Sequence, residues 1–228
     1  MDPTHQALPR VNSVPSLLTA IIHYQTPDLL RDAVWSFRAA YPDADLLLVD
    51  NGSRDGSNAE VHRIAAETGG PTRTQLLPVN EFHGPAMDRV LREASTDAVF
   101  FLDSDTVTRR GSFLEPMLDA VFAAPDVLGA GKLVTVDQRG FAAPVGIPVP
   151  ASAYMLIRRS LYLDLPPFVH HGLPVLAACA VAHHRGLRLA PFPVDTYVDH
   201  LGRGTAERFG YGLGVKSRLE YLLHRLGL

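Results

Sequence analysis

The stretch FFLDSDTV (100–107) ends an apolar run in two aspartates one residue apart, Asp103 and Asp105. Two carboxylates so close to a core need a cation, hydrogen-bond donors or water, because a buried unpaired charge is expensive. A third aspartate, Asp50, closes the apolar run DLLLVD (45–50) in the same way. One aspartate at the end of a strand is most simply the cap of the next turn or helix. Three of them gathered on one edge would be harder to explain as caps. Histidines supply the other chemistry-bearing groups: His23 beside Tyr24, the pairs His170–His171 and His183–His184, and His200 within YVDHLGRGT (197–205). Imidazole is a competent base near neutral pH. A histidine pair is also an ordinary way to finish a loop, and His183 and His184 fall at an expected helix end, where positive charge meets the dipole favourably.

The elements around these residues alternate. SLLTAIIHY (16–24) reads as a buried strand, and residues 26–41 as a helix with a Thr cap and a Pro in its first turn. Strand 45–50, the turn NGSRDGS, a helix from Asn58, strand 73–79, a helix from Gly84 and strand 97–103 follow. This order predicts an α/β fold with a doubly wound, mainly parallel sheet and helices on both faces. Ligands of such sheets bind at the carboxyl ends of the strands, where Asp50, Asp103 and Asp105 would meet. Beyond residue 125, strands are expected at 126–136, 151–160 and 187–194, with a short helix at 160–165 and a buried one at 173–186. The tail from Ala206 has a loosely helical apolar pattern, expected to pack on the domain, with a membrane or partner contact as the alternative. We expect one globular domain: an arm over 1–16, then halves at 17–125 and 126–228.

Bulk composition excludes several classes. The chain has 228 residues, 46% of them hydrophobic, and a formal net charge of −3, enough apolar content for a substantial core. Its 21 basic and 24 acidic residues are scattered, which argues against nucleic acid as a partner. A single cysteine, Cys179, leaves no internal disulfide and fits a reducing compartment. Residues 1–16 lack the apolar segment and basic start of a signal peptide, and the longest apolar run, 173–182, is half the length a bilayer requires.

Taken in order and spacing, LLTAIIHYQTPDLLRDAVWSF, LLLVDNGSRDGS and PVNEFHGPAMDRVLREASTDAVFFLDSDT resemble the family 2 glycosyltransferases of the GT-A fold, closely over residues 17–125 and loosely beyond. The pair VDNGS and FLDSDT, some fifty residues apart, carries the likeness; neither half alone is specific. The resemblance implies transfer of a hexosyl or deoxyhexosyl group from a nucleotide-diphosphate sugar donor to a saccharide, lipid-linked or natural-product acceptor. The first half would then bind donor and the second acceptor. It implies that Asp50 and Asn51 hold the nucleobase, that His23 and Tyr24 contact the nucleoside, and that Asn80 helps position the nucleotide. Asp103 and Asp105 match the family's DxD motif, which faces the ribose and a bound Mn²⁺ or Mg²⁺. His200 resembles a late histidine that several GT-A enzymes use as a third metal ligand, with Asp199 a weaker candidate, while Arg203, Gly204 and Thr205 would meet the diphosphate. The chemistry is consistent: the leaving diphosphate gains negative charge, and carboxylate oxygens suit a hard divalent cation. With no spanning segment in the sequence, the protein is expected in the cytoplasm, with peripheral contact at the inner membrane face left open.

One part of the family pattern is missing. Relatives carry a Glu-Asp pair at the start of a late helix, the aspartate serving as base, yet no carboxylate lies between Asp164 and Asp195 here. His171, and after it His170, are the substitutes just upstream; a retaining reaction, in which the donor phosphate takes the proton, would need neither. Asp88 stands where many relatives have asparagine. Two rival readings remain at this level. D-x-D-x-[TV] also fits the haloacid dehalogenase-like phosphatases, although their motif lies on an early strand and is followed by an acidic pair. A sugar-nucleotide-binding domain without chemistry would explain the missing Glu-Asp.

Overall fold

The computed structural model of the protein describes residues 14–169 and 173–202. Its first strand is β1 (Leu17–His23), LLTAIIH, an interior strand whose residues are almost all buried because sheet neighbours flank it and helices cover both faces. β1 pairs in parallel with β2 (Leu46–Asp50) on one side and β4 (Ala98–Asp103) on the other, and β2 pairs in parallel with β3 (Thr72–Leu76). The helices α1 (Pro27–Ala40), α2 (Ser57–Glu67) and α3 (His83–Glu93) make the crossovers. Pro27 at the start of α1 sits where a missing N–H costs no helical bond.

Beyond β4 the sheet changes character. β6 (Val127–Val136) and β7 (Ile147–Arg158) form an antiparallel pair, β7 runs antiparallel to β4, and β8 (Arg188–Pro191) returns parallel to β6. The seven strands lie in the order β3-β2-β1-β4-β7-β6-β8. The mainly parallel sheet of the sequence reading is therefore parallel in the first half and mixed in the second, since β6 joins β7 without a crossover helix. β7 begins at Ile147, ahead of the expected start at Ala151, because Pro148 and Pro150 stay in register with β6.

Two layers of core enclose the sheet. Leu30, Phe37, Val61, Ile64 and Met117 bury one face beneath α1, α2 and α4 (Leu114–Phe122). Met87, Val90, Tyr162 and Cys179 bury the other beneath α3, α5 (Arg159–Tyr162) and α6 (Leu176–His184). α4 has no counterpart in the sequence reading, nor does the short antiparallel ribbon of β5 (Thr106–Thr108) and β9 (Val198–His200). Three-residue strands are too short for an alternating pattern to show. Of the expected N-terminal arm, residues 1–13 lie outside the described residues, as does the predicted C-terminal helix; Ser16 is tied by its N–H and hydroxyl to Asp97 Oδ2, both at 2.8 Å. Among the described residues no helix is long and apolar enough to cross a membrane.

Candidate functional site

Strand register collects the chemistry on one edge. His23 is level with Asp50, and Ile22 with Asp103, so three strand ends deliver an imidazole and two carboxylates to the same rim of the sheet. After Asp103 the chain turns, Thr106 Oγ1 donating to the Asp103 carbonyl at 2.7 Å, and enters β5. β5 pairs with β9 so that Thr106 faces His200, and the Leu201 N–H donates to the Asp105 carbonyl at 2.9 Å. The ribbon thus brings in an imidazole from nearly a hundred residues away. His200 Nε2 lies 3.3 Å from Asp105 Oδ1 and 3.9 Å from Asp103 Oδ2. One ligand atom from each of Asp103, Asp105 and His200 falls within 4.8 Å of the others.

The electrostatics of this trio are those of a site short of positive charge. Burial pushes the Asp103 carboxyl above the usual range and the neighbouring Asp105 adds to this, against His83 and His200. His200 is raised above the ordinary imidazole value, first by its contact with Asp105, despite partial burial. Asp105 is buried, while His200 stays open to solvent on one side, so the cluster has an entrance. Asp199, adjacent on β9, points to the opposite face as strand geometry requires and pairs with Arg109 at 2.8 Å. Within YVDHLGRGT, whose glycines imply a loop, His200 is the last residue of β9, with Gly202 just beyond at φ 65°.

A second group of residues forms the crevice between β1 and β2. His23 Nδ1 accepts the Thr26 N–H at 3.3 Å, which places the ring proton of the neutral form on Nε2. Burial lowers the His23 pKa despite Asp50, Asp55 and Asp28, and Nε2 lacks a hydrogen-bond partner while facing Asp50 Oδ1 at 3.9 Å. Asp50 receives the hydroxyl and, at 3.3 Å, the N–H of Ser53. Tyr24 is partly buried at the same strand end. Asn51 Nδ2 donates to Asn80 Oδ1 at 3.2 Å, and Asn51 Oδ1 accepts the Glu81 N–H at 3.0 Å, which locks the loop after β2 to the loop before α3. Gly52 makes that contact possible, since a Cβ there would come within 2.2 Å of the Val79 carbonyl carbon.

Other sequence candidates fare differently. His170, His171, Arg203, Gly204 and Thr205 lie outside the described residues. His183 and His184 are exposed at the end of α6, which leads into β8; β8 runs parallel to β6 and so starts on the sheet edge opposite the site. Asp88 is structural here: it accepts the Tyr162 hydroxyl at 2.5 Å and the Arg92 Nε–H at 2.9 Å. One side chain at the cluster carried no specific role in the sequence reading. His83, the first residue of α3, brings Nε2 to 3.3 Å from Asp103 Oδ1. Its only signal in the sequence is its place three residues after Asn80, which is expected to help position the nucleotide.

The sequence pattern of the family described as "Glycosyl transferase family 2" matches residues 19–174. The chain belongs to this family. With that membership the haloacid dehalogenase-like reading of FLDSDTV is set aside. Like other members of family 2, the protein has a fold found in solved structures of low sequence identity. A mannosyltransferase from Pyrobaculum calidifontis, solved with GDP-Man and Mn²⁺, superposes with a TM-score of 0.62 at 16% identity over 80% of this chain and 56% of its own. S. aureus TarS superposes with a TM-score of 0.56 at 12% identity over 80% of this chain and 36% of its own. The chain thus spans about half or less of the length of these two. No curated protein sequence matches it.

Proposed function

We propose that the protein transfers a hexosyl or deoxyhexosyl group from a nucleotide-diphosphate sugar to an acceptor hydroxyl, using a divalent cation held by Asp103, Asp105 and His200. The observation that carries this reading is the convergence of those three side chains, from β4, the turn after it and β9, on one edge of a family 2 fold. Their donor set fits the cation: two carboxylates and one imidazole suit Mn²⁺ or Mg²⁺, with Mn²⁺ favoured by the nitrogen. A raised Asp103 beside a second carboxylate is an arrangement that a cation relieves. When bound, the cation would supply charge neutralisation for the departing diphosphate.

The chain's own groups do the rest. In the β1–β2 crevice Asp50 accepts from the nucleobase, the neutral His23 donates through its unpaired Nε2–H, and Tyr24 and Asn51 border the same subsite. Asn80, fixed by Asn51, positions the nucleotide from the α3 side. Arg203 and the backbone of Gly204 and Thr205 meet the diphosphate. His171, or else His170, takes the proton of the acceptor hydroxyl. Acceptors would be saccharide, lipid-linked or natural-product hydroxyls, met in the cytoplasm or at the inner membrane face. Loss of chemistry with retained donor binding is the second reading, favoured by the absence of any carboxylate between Asp164 and Asp195.

Release of nucleoside diphosphate from a panel of nucleotide sugars, with and without Mn²⁺, decides between them. Transfer predicts slow, Mn²⁺-dependent hydrolysis of one donor, abolished in Asp105→Asn. Binding of a donor without any release would establish the silent domain instead.

A further inference from the structure

Asp103 has a partner on each side, and the two do different work. His200 approaches Oδ2 at 3.9 Å, while His83 approaches Oδ1 at 3.3 Å from the opposite face of the sheet. His83 is not among the atoms that gather within 4.8 Å around Asp103, Asp105 and His200. Its Nε2 is sealed from solvent and makes no well-aligned hydrogen bond, the 3.3 Å approach to Asp103 Oδ1 included, and no side-chain hydrogen bond caps α3. Asp103 Oδ1 is the carboxylate oxygen within reach of that nitrogen.

The backbone that delivers it is strained. Phe82 has φ 68° and ψ 167°, a region essentially reserved for glycine, and residues held there cost about 1–3 kcal/mol. Such strain persists only where the surroundings over-determine it, and they do so here. The Phe82 N–H donates to Asn80 Oδ1 at 2.7 Å, Asn80 is held by Asn51, and the Asn51 N–H donates to the His23 carbonyl at 2.8 Å. On the far side Gly84 lies so close to Val169 that a Cβ would come within 1.8 Å of its carbonyl oxygen. An elbow clamped at both ends fixes the first residue of α3 toward Asp103.

We propose that His83 is the positioning residue of the cation site: its Nε2–H engages Asp103 Oδ1 and turns Oδ2 toward Asp105 and His200. The proposal rests on the cation reading above and assigns the outer contact that orients one of its ligands. Outer contacts of this kind are worth about 10–100-fold in metal affinity.

The test is titration of Mn²⁺ alone, read by the electron paramagnetic resonance of the free ion, into the unsubstituted protein and into His83→Phe, His83→Gln and Asp105→Asn, with metal-free melting as the check on folding. Positioning predicts a loss of about 10–100-fold in His83→Phe, recovery of most of it in His83→Gln, whose amide can donate, and no measurable binding in Asp105→Asn. Equal Mn²⁺ affinity in His83→Phe and the unsubstituted protein would overturn the positioning role and leave the cation site standing. Equal weakening by Phe and Gln would also overturn it, since the donor would then not be what matters. No Mn²⁺ uptake by the unsubstituted protein would overturn both.

Discussion

Among single residues, His200 and Asp103 set how the site answers to pH. His200 keeps its proton above the ordinary imidazole value because Asp105 and Asp103 surround it, and burial makes Asp103 reluctant to ionise. Both folded-state values are raised, so both groups contribute stability that is present below their ordinary pKa and is lost as pH rises through the folded one. A cation needs these groups deprotonated and must displace the proton of His200. The melting-temperature increase caused by Mn²⁺ is therefore expected to be larger at about pH 8 than at about pH 6. A shift independent of pH would contradict the assignment of His200 as ligand. Cys179 gives a second residue-scale expectation. It is buried beneath the sheet, burial pushes its thiol up to about 12, and a thiol reagent at about pH 8 should label it only after denaturation.

At the scale of elements, much of the site was legible because its aspartates sit at the ends of long apolar runs, which sequence periodicity marks well. Asp50 and Asp103 fall where β2 and β4 end, as the alternation of runs and helices implied. The β5–β9 ribbon was not legible, although His200 was singled out, because pairing between residues 106–108 and 198–200 is a tertiary event with no local signature. The Phe82 elbow was hidden for the opposite reason: a phenylalanine gives no warning of a conformation that usually calls for glycine. That elbow makes a prediction of its own. Phe82→Gly and Phe82→Ala both remove the ring, but only glycine removes the strain, so denaturant unfolding should find the glycine variant more stable by about 1 kcal/mol. Alanine as stable as glycine would show that the backbone is not strained there.

For the whole molecule, function and stability are assigned to opposite edges of the sheet. Away from the site, Arg38 is buried and its guanidinium donates to the carbonyls of Ala44 at 2.6 Å, Pro42 at 3.1 Å and Pro71 at 2.9 Å, and to Thr72 Oγ1 at 2.7 Å. It staples the segments that lead into β2 and β3. Arg38→Met should cost about 3 kcal/mol, because several partly buried hydrogen bonds lose a charged donor together, while nucleotide affinity of the folded fraction stays unchanged. The sequence conveyed this division only in part: alternation implied the parallel half and the edge where Asp50 and Asp103 meet, whereas the antiparallel β6–β7 half depends on how β7 docks on β4.

A cation bound jointly by Asp103, Asp105, His200 and a diphosphate is the centre of the proposed function. Calorimetric titration of nucleoside diphosphates into the unsubstituted protein, with and without Mn²⁺, addresses this most directly. One nucleoside diphosphate is expected to bind at least about tenfold tighter when Mn²⁺ is present, and Asp105→Asn to abolish the difference. Equal affinity with and without Mn²⁺ in the unsubstituted protein would contradict it.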